Sequence, residues 1–95
     1  MGYVKLNKAA ISSGVPQFDV LLAEGVAMVK KVDNAGTDEI HVSYVGDTRV
    51  NKIVGSADFT DADVQAIVNA IGLIGGGSGM IDVMLSQVIL SLTIV

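Results

Sequence analysis

The stretch AIGLIGGGSGMIDVML, residues 70 to 85, is rich in the residue type that binds phosphate groups through exposed backbone amides. Five glycines fall within eight positions of it. A dinucleotide-binding fingerprint needs glycines at i, i+2 and i+5 between a strand and a helix, but Met80 stands where the third glycine after Gly75 and Gly77 belongs. A phosphate loop ends in Gly-Lys-Ser or Gly-Lys-Thr, and no Lys or Arg follows Lys52. The spacing therefore predicts no nucleotide site and no other cofactor site.

The same glycines predict a bend in the chain. Glycine adopts left-handed backbone conformations without strain, and the end of a helix and a tight reversal both require them. We expect Gly72 or Gly75 to end a helix, and Gly76, Gly77 and Gly79 to reverse the chain into the next strand.

His41 is the only histidine and the most obvious general base in the sequence. It alternates with Ile40 and Val42, so if these two face the core, the imidazole lies on the opposite face of the strand. A histidine in that position ordinarily titrates in solvent, and no Ser-His-Asp signature accompanies it. We therefore predict no catalytic residue and no enzymatic activity.

Asp58, Asp61 and Asp63 are close enough in sequence to gather a hard cation. The calcium-loop pattern with its central glycine is absent, however, and the start of a helix explains two of the three aspartates. Thr60 can cap that helix, Asp63 can return a hydrogen bond from the third helical position, and both helical aspartates lie where the helix dipole favours negative charge. We predict no metal site.

The elements that carry these residues can be inferred from hydrophobic periodicity. In FTDADVQAIVNAIGLI the apolar residues recur at three- and four-residue steps, which indicates an amphipathic helix over about residues 61–73. Phe59, just before the cap, is expected to pack on Val64 as a hydrophobic staple. The predicted apolar stripe consists of Val64, Ile67, Val68, Ile71 and Ile74.

The first half of the chain alternates as strands do. YVKLN places Val4 and Leu6 on one face, and FDVLLA and VAMVKKV flank EG as the two arms of a hairpin would. DNAGTD, residues 33 to 38, is rich in turn formers and predicts a solvated loop.

EIHVSYV and TRVNKIV are predicted to pair as a second hairpin. A two-residue loop would oppose Val42 to Asn51 and mix polar with apolar residues. A three-residue loop over residues 46 to 48 opposes Val45 to Arg49 and separates the two faces, so we predict the three-residue loop. Its apolar face would hold Ile40, Val42, Tyr44, Val50, the stem of Lys52 and Val54.

The end of the sequence predicts a closing strand. Leu90, Leu92 and Ile94 alternate with polar residues and are expected to face the core, after a turn at Ser86 and Gln87. Residues 1–95 are thus predicted to form a single domain, mainly β (α+β), built as a small antiparallel sandwich or barrel-like sheet with one amphipathic helix before the last two strands.

The composition predicts self-association. Hydrophobic residues make up 51% of a chain of 95 residues, which is more apolar surface than so small a domain can bury in its own core. Burial between copies in a homo-oligomer accounts for the excess, and a monomer with scattered apolar surface residues is the alternative. Met28, Met80 and Met84 are interpreted as core or interface residues.

Charge and cysteine content exclude several classes of function. Residues 53 to 95 contain four aspartates and no cation, so they account for the whole net charge of −4 and cannot neutralise a nucleic-acid backbone. The chain has four aromatic residues to stack on bases, so we predict no nucleic-acid partner. Because the chain has no cysteine, disulfides and thiolate metal sites are excluded.

A membrane-spanning helix is the alternative interpretation of the uncharged residues 64 to 81, in which Gly72 and Gly76 have small-residue spacing. Asp82 interrupts the stretch and no cationic flank would orient it, so we predict a helix packed on a sheet and no membrane partner. The start MGYVKLNKAAISSG lacks the apolar region of a secretory signal, so we expect an intracellular protein.

The alternating start YVKLNK, the helix DADVQAIVNAI, the segment IDVMLSQV and the last alternating strand resemble small uncharacterised proteins encoded by tailed phages of marine bacteria. The likeness spans most of the chain, but Ser86 and Gln87 stand where a turn with Pro or Gly would be expected. The resemblance implies a virion-associated or assembly role, in the host cytoplasm or the virion, with other virion proteins as further partners. It implies no catalytic residues.

Two functional hypotheses follow. The first is a non-enzymatic structural protein that assembles with itself as a virion or assembly component. The alternative is a monomeric binding module, or an inhibitor, that offers a sheet edge or an apolar patch to a host protein.

Overall fold

The computed structural model describes residues 2–8, 17–34, 37–55, 57–74, 79–86 and 88–95. In the order of the chain, its elements are β1 (Gly2–Lys8), β2 (Gln17–Leu22), β3 (Val26–Asn34), β4 (Thr37–Tyr44), β5 (Val50–Gly55), α1 (Asp61–Ile74), β6 (Gly79–Val83) and β7 (Ile89–Ile94). The prediction of a mainly β protein with one helix before the last two strands is confirmed.

The strands form one open sheet in the order β2-β1-β7-β5-β4-β3, with β6 also paired to β1. The sheet is mixed rather than wholly antiparallel, because β6 runs parallel to β1 and β7 meets β1 in parallel at Lys8 and Ile89. Strands that follow a helical connection are free to pair in parallel, which strands joined by a tight turn are not. β6 and β7 lie one after the other along the same edge of β1.

The core lies between the inner face of the sheet and α1, which packs against β1, β3 and β6. Val4 and Leu6 are fully buried, as the alternation of YVKLN predicts. Ile67 and Ala70 are the buried apolar residues of the helix, whereas Val68 of the predicted stripe is 42% exposed. The other buried apolar residues are Leu21, Ala23, Ile40, Val42, Ile53, Phe59, Val83 and Ile89.

The predicted hairpin around EG is wrong. β2 pairs with β1 and β3 pairs with β4, so the two strands lie at opposite ends of the sheet order. The connecting turn contains Gly25 at φ 79°. The Gly25 carbonyl accepts a hydrogen bond from Val45 N at 2.9 Å. Pairing with β1 places Leu21 opposite Val4, and both side chains are then buried.

The predicted loop over residues 33 to 38 is also shorter than expected. β3 and β4 pair up to Asp33 with Asp38 and Asn34 with Thr37. The two residues between the paired strands, 35 and 36, lie outside the described part of the chain. Turn-forming residues of the predicted loop therefore lie in the paired ends of the two strands.

The register predicted for β4 and β5 is wrong by one residue. Ile40 lies opposite Ile53 and Val42 opposite Asn51, which is the pairing of the rejected two-residue loop. This register turns Ile53 into the core, where it is fully buried, while Val50 and Val54 lie on the other face. The chain reverses through Gly46 at φ 79°, and Asp47 N donates to the Tyr44 carbonyl at 3.2 Å.

β7 faces the core through different residues from those predicted. Opposite Val54 and Gly55 on β5 lie Ser91 and Ile89, so Leu90 is the extra residue of a β-bulge. The bulge shifts the alternation, so that Ile89 is fully buried and Leu90 is 54% exposed. Leu92 packs against the core as predicted, and Ile94 is exposed.

α1 begins and ends close to the predicted bounds. Asp63 N donates to Thr60 Oγ1 at 3.4 Å and Thr60 N donates to Asp63 Oδ2 at 2.9 Å, which confirms the reciprocal cap. Gly72 lies within the helix and does not end it. Gly79, at φ 112°, begins β6, and residues 75 to 78 lie outside the described part of the chain.

Phe59 connects the start of the helix to the sheet. Its side chain is buried against the end of β5, and a Cβ added at Gly55 would lie 2.7 Å from Phe59 Cζ. Gly55 is therefore required by the close approach of an aromatic ring.

Gly55→Ala is expected to lower the free energy of unfolding by about 1–3 kcal/mol, because the buried ring must move to admit a methyl group. Gly72→Ala is the matched control: no atom lies within 4 Å of its added Cβ, and alanine stabilises a helix interior by about 0.5–1 kcal/mol over glycine. Urea unfolding measures both values, and equal effects would contradict the close contact.

Candidate functional site

The outer face of β2, β1 and β6 is the most distinctive surface of the described chain. The inner face of these strands buries Val4, Leu6 and Val83. The opposite face carries Phe18, Val20 and Met80, which are 50%, 40% and 50% exposed. We call this surface the outer face; it consists of Tyr3, Lys5, Asn7, Phe18, Val20, Leu22, Met80 and Asp82.

The strand register arranges the outer face in rows, because residues paired across neighbouring strands point to the same side. Leu22, Tyr3 and Met80 form an apolar and aromatic row. Val20, Lys5 and Asp82 form the next row, and Phe18 lies beside Asn7 in the third. The only two charged residues of the outer face are therefore neighbours in its middle row.

Lys5 links the three strands electrostatically. Its Nζ lies 3.7 Å from Asp82 Oδ1 on β6 and 4.5 Å from the centre of the Phe18 ring on β2. A cation over an aromatic ring and beside a carboxylate is held in place by both. The Asp82 side chain remains 70% exposed, so one of the two charges is open to a partner.

This composition is typical of a protein–protein contact. Aromatic residues and methionine are enriched at such interfaces, and charged residues are few at their centres. Met28, Met80 and Met84 are all at least half exposed, so none belongs to the core, and an interface role for them stays a prediction.

A cavity of about 490 Å³ opens beside the outer face. Tyr3, Val20 and Leu22 are among the residues that line it, together with Tyr44 and Ile94. Its volume lies within the range of small-molecule pockets. His41 is not among its lining residues, so the most obvious general base lies away from this space.

Tyr44, on the last strand but one of the sheet order, contacts β2 at the other end of that order. Its hydroxyl donates to the carbonyl of Leu22, which joins β4 to β2 without strand pairing. Burial raises the pKa of Tyr44 to about 12, since the charged phenolate is disfavoured away from water.

His41 lies on the face opposite Ile40 and Val42, as predicted, in a cluster with Glu39 and Lys52. His41 Nε2 is 3.2 Å from Glu39 Oε1, and Lys52 Nζ is 3.7 Å from Glu39 Oε2. The Glu39 side chain is 8% exposed, so the ion pair with Lys52 and the contact with His41 offset the cost of burying its carboxylate. The pairing of the buried Glu39 carboxylate gives this arrangement a structural explanation.

Asp58, Asp61 and Asp63, the candidate cation ligands in the sequence, each contact a different partner in the structure. Asp58 Oδ1 accepts from Asp38 N at 2.8 Å, and Asp61 lies 3.2 Å from Lys31 Nζ. The hydrogen bond to Asp61 raises the pKa of Lys31. Among the described residues, no group of three or more His, Cys, Asp or Glu side chains is placed to hold a metal ion.

Asp63 is buried and connects α1 to the segment after β6. Besides Thr60, it accepts hydrogen bonds from Ser86 N and Ser86 Oγ, both at 2.7 Å. Burial alone would raise the pKa of Asp63, but the hydrogen bonds from Ser86 and Thr60 outweigh it and hold the pKa below its ordinary value. Ser86 thus anchors the segment after β6 to the helix, whereas Gln87, the other residue of the predicted turn, lies outside the described part of the chain.

Phe18 and Val20 are the site residues that sequence reasoning missed. The sequence pattern predicts a hairpin between FDVLLA and the strand that follows it, and this prediction does not identify β1 as the partner of β2. The alternation of Phe18, Val20 and Leu22 is the available signal. Leu21 is also apolar, however, so the pattern alone does not decide which face is buried.

Comparisons with protein-family models, with curated proteins and with solved structures find no match to this chain. Within the described residues, no helix combines the length and apolar character needed to cross a lipid bilayer.

Tyr44→Phe is expected to lower the free energy of unfolding by about 1 kcal/mol, through loss of the bond to Leu22. With a folded pKa of about 12 against 10.0 for an ordinary tyrosine, the contribution of Tyr44 is complete below the lower value and is lost as the pH rises through the higher one. Spectrophotometric titration of tyrosinate measures this directly. A component with a pKa of about 12 that persists in the variant would contradict the assignment.

Asp63→Asn is expected to lower the free energy of unfolding by about 1–3 kcal/mol at neutral pH, because a buried charged acceptor of hydrogen bonds is replaced. Since the pKa of Asp63 is lowered by folding, its stabilisation is present above the ordinary value of 3.8 and is lost as the pH falls through the folded pKa. Unfolding measured from neutral to acid pH should show the wild type and the variant converging.

Asp61→Asn is the control for this prediction. The Asp61 side chain is 94% exposed, and exposed ion pairs contribute little to stability. An effect of Asp61→Asn as large as that of Asp63→Asn would indicate a general effect of charge at the helix start.

Proposed function

We propose that this chain is a small non-enzymatic structural protein that assembles with itself through the outer face. The observation that carries the proposal is the concentration of Phe18, Val20 and Met80 on one side of three neighbouring strands. Apolar side chains gathered on one face favour association, whereas apolar side chains scattered singly over a surface do not.

The excess of apolar residues supports the same proposal. Among the described residues, twelve large hydrophobic side chains are at least 40% exposed, in a chain whose radius of gyration is 12.8 Å. Contact between copies would remove part of this surface from water at a gain of about 25 cal/mol per Å² of apolar area.

The setting that we propose is a phage particle or its assembly in the host cytoplasm. The support for this setting is the resemblance of the strand-rich start, the helix and the closing strand to small phage-encoded proteins. Other virion proteins would then be further partners of the assembled chain.

A binding module is the second candidate, and the edge of β2 favours it. Ala23 N donates to the Gly2 carbonyl on β1, whereas the Leu22 carbonyl points away from β1 and accepts from Tyr44. Alternation along an antiparallel strand then directs the backbone groups of Phe18 and Val20 away from β1 as well. Such an edge can receive an extended segment of another protein.

The purified chain is expected to sediment as one defined oligomer at micromolar concentration. Met80→Lys places a charge in the apolar row of the outer face and should raise the dissociation constant by about tenfold or more. Leu73→Lys, at a residue of α1 that is 78% exposed, is the matched control and should leave the dissociation constant unchanged. Sedimentation velocity over a concentration series measures both variants.

A wild-type monomer throughout that series would contradict self-assembly and favour the binding module. Equal weakening by the two lysine variants would contradict the assignment to the outer face.

A further inference from the structure

We infer that two copies meet face to face about a two-fold axis that runs along the strands, between β1 and β6. The inference rests on the proposed self-association and specifies its contact. Under this symmetry, each residue of β1 lies against the partner's residue that pairs with it across the sheet. Tyr3 therefore meets the partner's Met80, and Lys5 meets the partner's Asp82.

The central charges select this axis. Lys5 and Asp82 are the two charged side chains of the outer face, and they are neighbours in one row, 3.7 Å apart. An axis along β1 itself, or one perpendicular to the strands through this row, would bring Lys5 against the partner's Lys5. An axis between β2 and β1 would bring Lys5 against the partner's Val20. Only an axis between β1 and β6 opposes each charge to its opposite, twice in the dimer.

The apolar row agrees with this axis. Tyr3 and Met80 are neighbours across β1 and β6, so the same rotation packs an aromatic ring on a thioether in both halves of the contact. The Asp82 side chain, 70% exposed in one copy, gains a second cation in the dimer. Two Lys5 and two Asp82 side chains then alternate in sign around the axis.

Charge reversal followed by mixing tests the pairing between copies. Lys5→Asp and Asp82→Lys are prepared separately, and each alone would oppose like charges across the axis. We expect the dissociation constant of each variant to rise by about tenfold or more. An equimolar mixture should recover a dissociation constant near that of the wild type, because the heterodimer opposes Asp to Lys at both contacts.

The ion pair between Lys8 and Asp19 is the matched control. Its atoms are 3.6 Å apart, and it joins β1 to β2 as the pair of Lys5 and Asp82 joins β1 to β6. Its residues lie in register with the inner face rather than the outer face. Lys8→Asp and Asp19→Lys should leave self-association unchanged, alone or mixed. If Lys8→Asp and Asp19→Lys each weakened self-association and a mixture of the two restored the wild-type dissociation constant, the assignment to the outer face would be wrong.

Cysteine cross-linking tests the same axis without changing charge. The chain has no cysteine, so single substitutions report on one contact each. Under mild oxidation, a mixture of Tyr3→Cys and Met80→Cys should form a covalent heterodimer, and neither variant alone should form a covalent homodimer at a comparable rate. Thermal melts of all variants establish that each is folded.

The outcomes distinguish a failure of the proposed axis from a failure of self-association itself. If the wild type is monomeric, the proposed function fails together with the axis. If the wild type associates, but the charge-reversed variants do not recover on mixing and the cysteine variants do not cross-link, the axis is wrong and self-association stands.

Discussion

The fold depends on the burial of β1 between neighbours on both of its edges. Among the described residues, β1 pairs with β2 on one side and with β6 and β7 on the other. Its Val4 and Leu6 side chains are fully removed from water at the centre of the core. The strict alternation of YVKLN then forces Tyr3 and Lys5 to the outer face. The same five residues thus define the core on one side and the proposed contact on the other.

Strong local patterns made much of the fold predictable. The helix was predictable because its apolar period, its threonine cap and its early aspartates agree with one another, and each is a local property of the sequence. The fully buried pair Val4 and Leu6 was predictable from alternation alone. The register of β4 and β5 was not, because a non-local contact decides it: Ile53 has to face the core, and Gly55 has to lie under the Phe59 ring.

The candidate site was less predictable than the fold. Its rows exist only because β6, which is distant in sequence, lies beside β1 and brings Met80 and Asp82 next to Tyr3 and Lys5. No local pattern in YVKLN or GMIDV specifies that pairing. The absence of a Gly-x-Gly-x-x-Gly or Gly-Lys-Ser pattern, by contrast, is a local property of the sequence. The bend predicted from the same glycines falls largely on residues 75 to 78, outside the described part of the chain.

The pairing of β1 with β6 and β7 joins distant parts of the chain, which affects the order in which the strands can fold. β1 pairs with β2, which follows it closely in the chain, and with β6 and β7, which are made much later, so its second edge can pair only after the long loop up to β6 has closed. Closing so long a loop is slow relative to forming the nearby hairpin of β3 and β4. The central strand of the sheet is therefore expected to gain its second neighbour late in folding, after the hairpin of β3 and β4 has formed.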